Sequence, residues 1–154
     1  MSAEVVVAPA DPHAADVTAA LDALTAELAE GGYGAEGTFG YSAEQLERQG
    51  VHLVAARVDG VLVGVGGVEV QGGGLAELKR FWVDPTRRGS GAADAVMASL
   101  LEYARARGVT VVRLETGNRQ HAAMRFYARH GFARVPAFGP YEHSATSVCL
   151  QREV

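Results

Sequence analysis

The residues with the clearest chemical purpose lie in one stretch, Val83-Asp84-Pro85-Thr86-Arg87-Arg88-Gly89-Ser90-Gly91-Ala92-Ala93. An apolar run that reads as a strand, residues 78–83, stops at Asp84-Pro85 and passes two arginines and two glycines. It then enters an alanine-rich helical pattern that ends at Gly108. Glycines let backbone approach a ligand closely, the first turn of a helix carries unpaired N–H groups, and its dipole favours negative charge. Arg87 and Arg88 add mobile positive charge. The chemistry open to such a turn is the holding of a diphosphate, and the stretch reads as a pyrophosphate cradle.

Arg88-Gly89-Ser90-Gly91-Ala92-Ala93 resembles the Gln/Arg-x-x-Gly-x-Gly/Ala signature of the acetyl-coenzyme A loop in GCN5-related N-acetyltransferases, the GNAT family. Ala76-Glu77-Leu78 upstream fits the same pattern. Downstream, Ala123-x-x-x-Tyr127-x-x-x-Gly131-Phe132 is similar to the family's Ala-x-x-x-Tyr-x-x-x-Gly-Phe helix. Three motifs in family order thus span the second half of the chain, and the first half matches only in its pattern of elements. The resemblance implies a GNAT fold, acetyl-coenzyme A as cosubstrate, and acetyl transfer to a primary amine.

Acetyl transfer to an amine sets chemical needs: an ammonium must lose a proton, an oxyanion develops, and a thiolate leaves. The resemblance implies Glu77 as general base, direct or through water, against the plainer reading of a polar residue on an exposed strand face. It implies that the backbone N–H of Phe81, four residues on, binds the thioester carbonyl. Trp82 and Val83 would border the cofactor, Val83 holding the pantetheine arm through its backbone. Arg88, Gly89, Ser90, Gly91, Ala92 and Ala93 are the expected phosphate contacts. Tyr127 is the expected acid for the thiolate, since a phenol of pKa ~10 is close enough to a thiol at ~8.5 to donate to it. Its plainer reading is a half-buried aromatic on an amphipathic helix. Ala123, one turn earlier, leaves room for the cofactor. Gln120 stands where many relatives have an asparagine that bonds the pantetheine, with a longer reach.

On the acceptor side the family's cleft corresponds to residues 31–41 and 136–141. Tyr33, Glu36, Phe39, Glu69 and Tyr141 are expected to meet the substrate there, near Tyr41, Phe138 and Glu142. These segments and the facing strands are read as offering carboxylates and aromatic rings, with arginine and lysine only nearer the cofactor. Carboxylates attract an ammonium and ring faces hold a cation, whereas a substrate carboxylate wants an arginine fork. The expected acceptor is therefore a small cationic amine without a free carboxylate. Its identity, and the choice between small molecule and peptide, stay open. Glu69 and Glu36 also read as solvated charges, and Phe138-Gly139-Pro140-Tyr141 as either a plain turn or a flap.

Two rival functions remain in view. Gly89-Ser90-Gly91 followed by a helix and a strand ending at Glu115 has the outline of a dinucleotide-binding unit. However, Asp94 replaces the third glycine and would set a carboxylate near the phosphates. The second rival is a non-catalytic coenzyme A-binding or sensing module, against which only Glu77 and Tyr127 speak.

Composition bounds these readings. A chain of 154 residues with 48% hydrophobic residues reads as a single domain, 1–154, able to bury a sizeable core. The first thirty residues hold acids but no lysine or arginine, and no apolar run approaches the ~18–20 residues of a membrane span. A cytoplasmic protein without membrane contact is expected. A net charge of −4 argues against nucleic acid as partner. The single cysteine, Cys149, excludes an internal disulfide; His52, His121, His130 and His143 lack metal-binding spacing, so no metal site is expected. The resemblance suggests a homodimer.

The elements that must position these residues follow from local signals. Residues 4–8 read as a strand closed by Pro9 and Pro12. Val17, Leu21, Leu24 and Leu28 recur at helical spacing over residues 14–29, with Asp11 or His13 at the start and Gly31-Gly32 as the stop. Residues 31–40 read as a loop. Ser42 and Gln45 form a capping box for a short helix ending near Gly50. Asp59-Gly60 joins strands 51–58 and 61–70, and Gly72-Gly73-Gly74 leads into a strand at 75–83. Gly64-Val65-Gly66-Gly67 reads as a bulge or as close packing against a ligand rather than a nucleotide loop. A helix over 92–107 crosses to a parallel strand at 109–114, expected to be buried on both faces. A helix over 119–130 and strands at 132–135 and 147–150 complete an α/β (α+β) fold. Its sheet is mixed and mostly antiparallel, with six or seven strands flanked by about four helices.

Overall fold

The computed structural model describes residues 4–32 and 40–154. Among them are seven strands, β1 (Val5–Pro9), β2 (His52–Val58), β3 (Val61–Gly72), β4 (Leu75–Val83), β5 (Val111–Gly117), β6 (Ala133–Val135) and β7 (Ser147–Glu153). Four α-helices accompany them, α1 (Ala15–Glu30), α2 (Ala43–Arg48), α3 (Ala92–Ala106) and α4 (His121–Arg129). The strands form one sheet in the order β1-β2-β3-β4-β5-β7-β6. Only β4 and β5 run parallel; the other neighbours are antiparallel.

Local chemistry fixes the joints. Asp59 (φ 50°) and Gly60 (φ 80°) both take the left-handed conformation that a two-residue hairpin needs to match strand twist. In α2 the Ser42 side chain accepts the Gln45 N–H while the Gln45 side chain accepts the Ser42 N–H, the reciprocal cap expected from the sequence. At α1 the expected side-chain cap is absent. Ala14 is the N-cap, and Asp11 instead accepts the His13 N–H at 2.9 Å, a local turn that uses up its carboxylate before the helix begins.

Strand alternation sorts the core into two layers. In β2, Val54 and Ala56 face a cluster with Val96, Met97 and Leu100 of α3. Leu53 and Ala55 face the other way, onto Val17, Ala20 and Leu21 of α1 and Leu46 of α2. The central strands are thus covered on both faces. Gly66 shows how closely α3 seats: a Cβ there would lie 2.7 Å from Cγ1 of Val96 and 3.1 Å from Cδ1 of Leu100. The β3–β4 register also shifts beside it, as a bulge requires, and the close packing is against α3 rather than a ligand.

β5 departs from expectation. It spans Val111–Gly117 and alternates, with Val112, Leu114 and Thr116 buried and Val111, Arg113 and Glu115 only partly so. Val109 is buried but belongs to the turn that ends α3: its N–H bonds Ala104 O and that of Gly108 bonds Arg105 O, a Schellman motif. One face of β5 therefore packs in the core and the other looks into the cleft described below. Among the described residues no helix is long and apolar enough to cross a membrane.

Candidate active site

The cleft exists because two neighbouring strands part. β4 and β5 pair only from Leu75–Val111 to Glu77–Arg113. Beyond Glu77, β4 is bent by a bulge in which Arg80 takes φ 56°, and neither Arg80 nor Phe81 has a register partner on β3 between Lys79↔Gly67 and Trp82↔Val65. The Arg80 guanidinium donates at 2.7 Å both to Leu21 O and to Thr25 Oγ1, fastening the bulge to α1. The gap holds two adjoining cavities that share Leu24, Phe81, Gln120, Ala123 and Tyr127 as their common wall.

The larger cavity, of about 500 Å³, is lined by every residue expected at the cofactor: Phe81, Trp82, Val83, Arg88, Gly89, Ser90, Gly91, Ala92, Ala93, Gln120, Ala123 and Tyr127. Its floor is the turn before α3. Asp84 accepts Thr86 N–H and Oγ1–H at 2.9 and 2.8 Å, which holds its carboxyl below the usual range and closes a 3-10 turn at Pro85–Arg87. Gly89 (φ 87°) and Gly91 (φ 88°), the latter the N-cap of α3, then turn the backbone. A Cβ at either would meet nothing within 4 Å, so the glycines are required by conformation and the cradle is open. First-turn N–H groups, the helix dipole, Arg87, Arg88 and Arg129 suit this cavity to a polyphosphate. Asp94, whose charge seemed misplaced there, accepts from His130 Nε2 at 2.7 Å and Arg129 Nη2 at 3.3 Å, two cationic or donor groups that offset it.

Tyr127 stands in the shared wall, 7% exposed and so more buried than an ordinary amphipathic aromatic. The Gly131-Phe132 pair explains its placement. Gly131 (φ 86°) ends α4 with a second Schellman motif, Phe132 N–H bonding Tyr127 O at 3.0 Å and Gly131 N–H bonding Ala128 O at 3.0 Å. The rings of Phe132, Phe126 and Phe81 meet that of Tyr127 edge-on at 5.9, 5.6 and 6.1 Å. Burial, and secondarily the charge of Glu115, push the Tyr127 phenol up, so it keeps its proton over the neutral range.

The smaller cavity, of about 140 Å³, where the acceptor is expected, is lined by Tyr41, Glu77, Lys79, Glu115, Thr116 and Tyr141, among others. Glu77 is 4% exposed, which removes its reading as an exposed strand residue. Its Oε2 accepts from Tyr141 OH at 2.6 Å and Lys79 Nζ at 2.9 Å, and its Oε1 accepts from Gln71 Nε2 at 3.1 Å. Lys79 Nζ also sits 4.4 Å from the centre of the Tyr41 ring. Glu69, 8% exposed, accepts from Tyr41 OH at 3.2 Å and Gln71 Nε2 at 2.9 Å; it is not a solvated charge, because the β3–β4 hairpin carries it into the network around Glu77. Tyr141 arrives on a 3-10 turn, Gly139–His143, that folds onto β4 as a flap. Burial and the Glu77 charge push its phenol up.

One expectation changes here. The acceptor side was read as holding no cation, yet Lys79 points into it and Arg113 stacks on Phe138, 4.1 Å from the ring centre. Lys79 stands two residues after Glu77 in unbroken register with β3, so strand alternation puts both side chains on one face. Tyr33, Glu36 and Phe39 lie outside the described residues. Reading the sequence also gave no site role to Glu115, weighed only as a ribose ligand, although its position two residues after Arg113 on a half-covered strand would have pointed to the cleft.

The acetyltransferase (GNAT) family model matches residues 20–132. The chain is 31% identical over 121 residues to an IAA acetyltransferase of Azospirillum brasilense, covering 78% of this chain and 79% of that protein. Among solved structures, a Klebsiella pneumoniae protein assigned to the acyl-CoA N-acyltransferases superposes with a TM-score of 0.84 at 31% identity, over 97% of each chain. The PaiA N-acetyltransferase of Thermoplasma acidophilum, solved with coenzyme A, shares the fold at a TM-score of 0.74 and 15% identity, over 98% of this chain and 99% of that one.

Proposed function

The chain belongs to the acetyltransferase (GNAT) family, and from that premise we propose that it transfers an acetyl group from acetyl-coenzyme A to the amine of a small cationic molecule, in the cytoplasm. The observation that carries this reading is the pair of cavities meeting at one wall. A cradle for a polyphosphate on one side and a carboxylate-rich chamber on the other are divided only by Leu24, Phe81, Gln120, Ala123 and Tyr127.

Acetyl-coenzyme A, when bound, supplies the thioester carbonyl and the thiol leaving group. Arg88, Gly89, Ser90, Gly91, Ala92 and Ala93 hold its phosphates, and Trp82, Val83, Gln120 and Ala123 border its arm. Phe81 lines both cavities, and its backbone N–H would meet the carbonyl oxygen. Tyr127 gives its proton to the departing thiolate. The ammonium proton passes to a carboxylate of the acceptor chamber.

The chamber's charge argues for a cationic acceptor. Glu77 and Glu115 line the chamber with Lys79, which is occupied by Glu77 and the Tyr41 ring, and Glu69 adds charge behind Tyr41. Arg80 is turned into α1. Tyr41 and Tyr141 offer ring faces and hydroxyls to an ammonium. Thiol release from acetyl-coenzyme A across amines, polyamines, amino acids and peptides tests this. Simple amines and polyamines should exceed free amino acids in kcat/KM at least about tenfold, the ~1.4 kcal/mol lost when a buried carboxylate lacks a partner. The reverse order would overturn the cationic-acceptor reading and point to Arg113 as an anion partner.

A further inference from the structure

We infer that Glu115 is the residue that takes the proton from the acceptor ammonium, and that Ser147 and Ser144 carry it outward. This rests on the acetyl-transfer reading above and names the base within it.

Of three observations, occupancy and an exit separate Glu115 from Glu77, and position sets it in the same cavity. The first is occupancy. Glu77 already accepts three hydrogen bonds, from Tyr141, Lys79 and Gln71, and would have to surrender one of them to receive a proton. Glu115 accepts one, from Ser147 Oγ at 2.7 Å on Oε2, and among the described residues its Oε1 accepts none. The second is position. Glu115 lies on the cleft-facing side of β5, beyond the point where β4 and β5 separate, and lines the acceptor cavity together with Tyr127. The third is an exit. Ser147 Oγ is 2.8 Å from Ser144 Oγ, which is 3.5 Å from Thr146 Oγ1, so hydroxyls lead from the carboxylate to the loop before β7. Burial raises the Glu115 carboxyl above its ordinary value, with the Ser147 bond opposing, which makes it a better proton acceptor than a solvated carboxylate.

The groups facing Glu115 are Glu77 and Lys79 from β4, Tyr127 from α4, Tyr141 from the flap and Cys149 from β7. Glu77 raises its proton affinity and Lys79 opposes this. Proton accounting closes over the cycle. The ammonium nitrogen loses two protons as its bond to the acetyl carbon forms and the carbon–sulfur bond breaks. Glu115 Oε1 takes the first; once the carboxyl turns that proton towards Ser147 and the Ser147 hydroxyl turns to donate to Ser144, the proton passes through both to water. The second replaces the proton that Tyr127 gives to the thiolate, so one proton is released per amide.

The test combines kinetics with direct titration. Thiol release is followed with spermidine and with tyramine across about pH 5 to 9, where the base of the free enzyme sets the acidic limb of kcat/KM. Glu115→Gln should lower kcat/KM by ~10²–10⁴ and abolish that limb, with acetyl-coenzyme A affinity retained. Glu77→Gln should lower the rate yet keep the limb, and Ser147→Ala should shift the limb and lower kcat without raising the amine KM. If Glu115→Gln keeps the parent profile, or Glu77→Gln is the variant that loses the limb, the inference is wrong. In parallel, NMR of protein carrying labelled glutamate carboxyls, bound to coenzyme A, reads the titration without any acceptor. Glu115 should titrate above 4.5. A parent inactive on every amine would sink the acetyl-transfer reading, and Glu115 titrating at or below that value would sink this inference on its own.

Discussion

The hydroxyl of Tyr141 donates a 2.6 Å hydrogen bond to Oε2 of Glu77, joining the turn before the last strand to the fourth strand across 64 positions of the chain. Both residues are buried. The bond closes the acceptor chamber from above and holds Glu77 in one orientation together with Lys79.

Tyr141→Phe removes that donor and leaves a buried carboxylate with less compensation. Hydrogen bonds to charged groups contribute ~1.5–3 kcal/mol, so the unfolding free energy should fall by about 2 kcal/mol. Urea denaturation at neutral pH measures it. A loss too small to resolve would mean that this hydrogen bond does not hold the flap.

Gly91→Val tests the cradle. The structure refines the reason for expecting a loss: the space beside Gly91 is open, but φ 88° is a conformation that a β-branched residue scarcely adopts. The start of α3 must shift, and with it the N–H groups of its first turn. Isothermal titration should show no acetyl-coenzyme A binding to folded Gly91→Val. Arg87→Ala, which removes only a solvated charge worth ~0.5–1 kcal/mol, should weaken binding about two- to fivefold. Parent-like binding by Gly91→Val would place the cofactor elsewhere.

Tyr127→Phe tests proton donation to the thiolate. Turnover should fall by ~10²–10⁴ with cofactor affinity nearly intact, since only a hydroxyl is removed and the ring keeps its contacts with Phe81, Phe126 and Phe132. Because burial holds the phenol protonated, no alkaline loss of rate should arise from this group within the neutral range. Equal chemistry-limited rates in parent and variant would remove the assignment.

Much of this arrangement was legible in the chain. The reciprocal cap of Ser42 and Gln45, the Asp59-Gly60 hairpin and the Gly91 helix start are local devices whose residue types state their conformations. Gly131-Phe132 is of the same kind, and its Schellman bond to Tyr127 explains why that pair follows the tyrosine at fixed spacing. What was hidden depends on relations between distant segments. The bulge at Arg80 places a non-glycine residue at φ 56°, which no side chain announces, and it leaves Arg80 and Phe81 without register partners on β3. The insertion of β7 between β5 and β6 brings Ser147 beside Glu115. The alternation of β5 was obscured by Val109, which is apolar because it ends a helix and not because it starts a strand.

Glu115 also makes a signed prediction for stability. A carboxyl whose folded pKa lies above its unfolded value binds more protons folded than unfolded between the two, so stability falls as pH rises through that window. The cost is fully present above it and absent below the ordinary value of 4.5. Glu115→Gln should therefore raise the melting temperature at neutral pH, and the gain should shrink as the pH falls towards that value. A gain that stays constant with pH, or a loss at neutral pH, would show that the buried carboxylate carries no desolvation cost.

The central claim is that the two cavities serve one acetyl transfer, and it is tested most directly by following the acetyl group itself. With isotopically labelled acetyl-coenzyme A and an excess of amine, the label should appear on the amine nitrogen, with one thiol released per amide formed. Binding of acetyl-coenzyme A with no labelled amide from any amine would contradict the claim and leave the chain as a coenzyme A-binding module on an acetyltransferase fold.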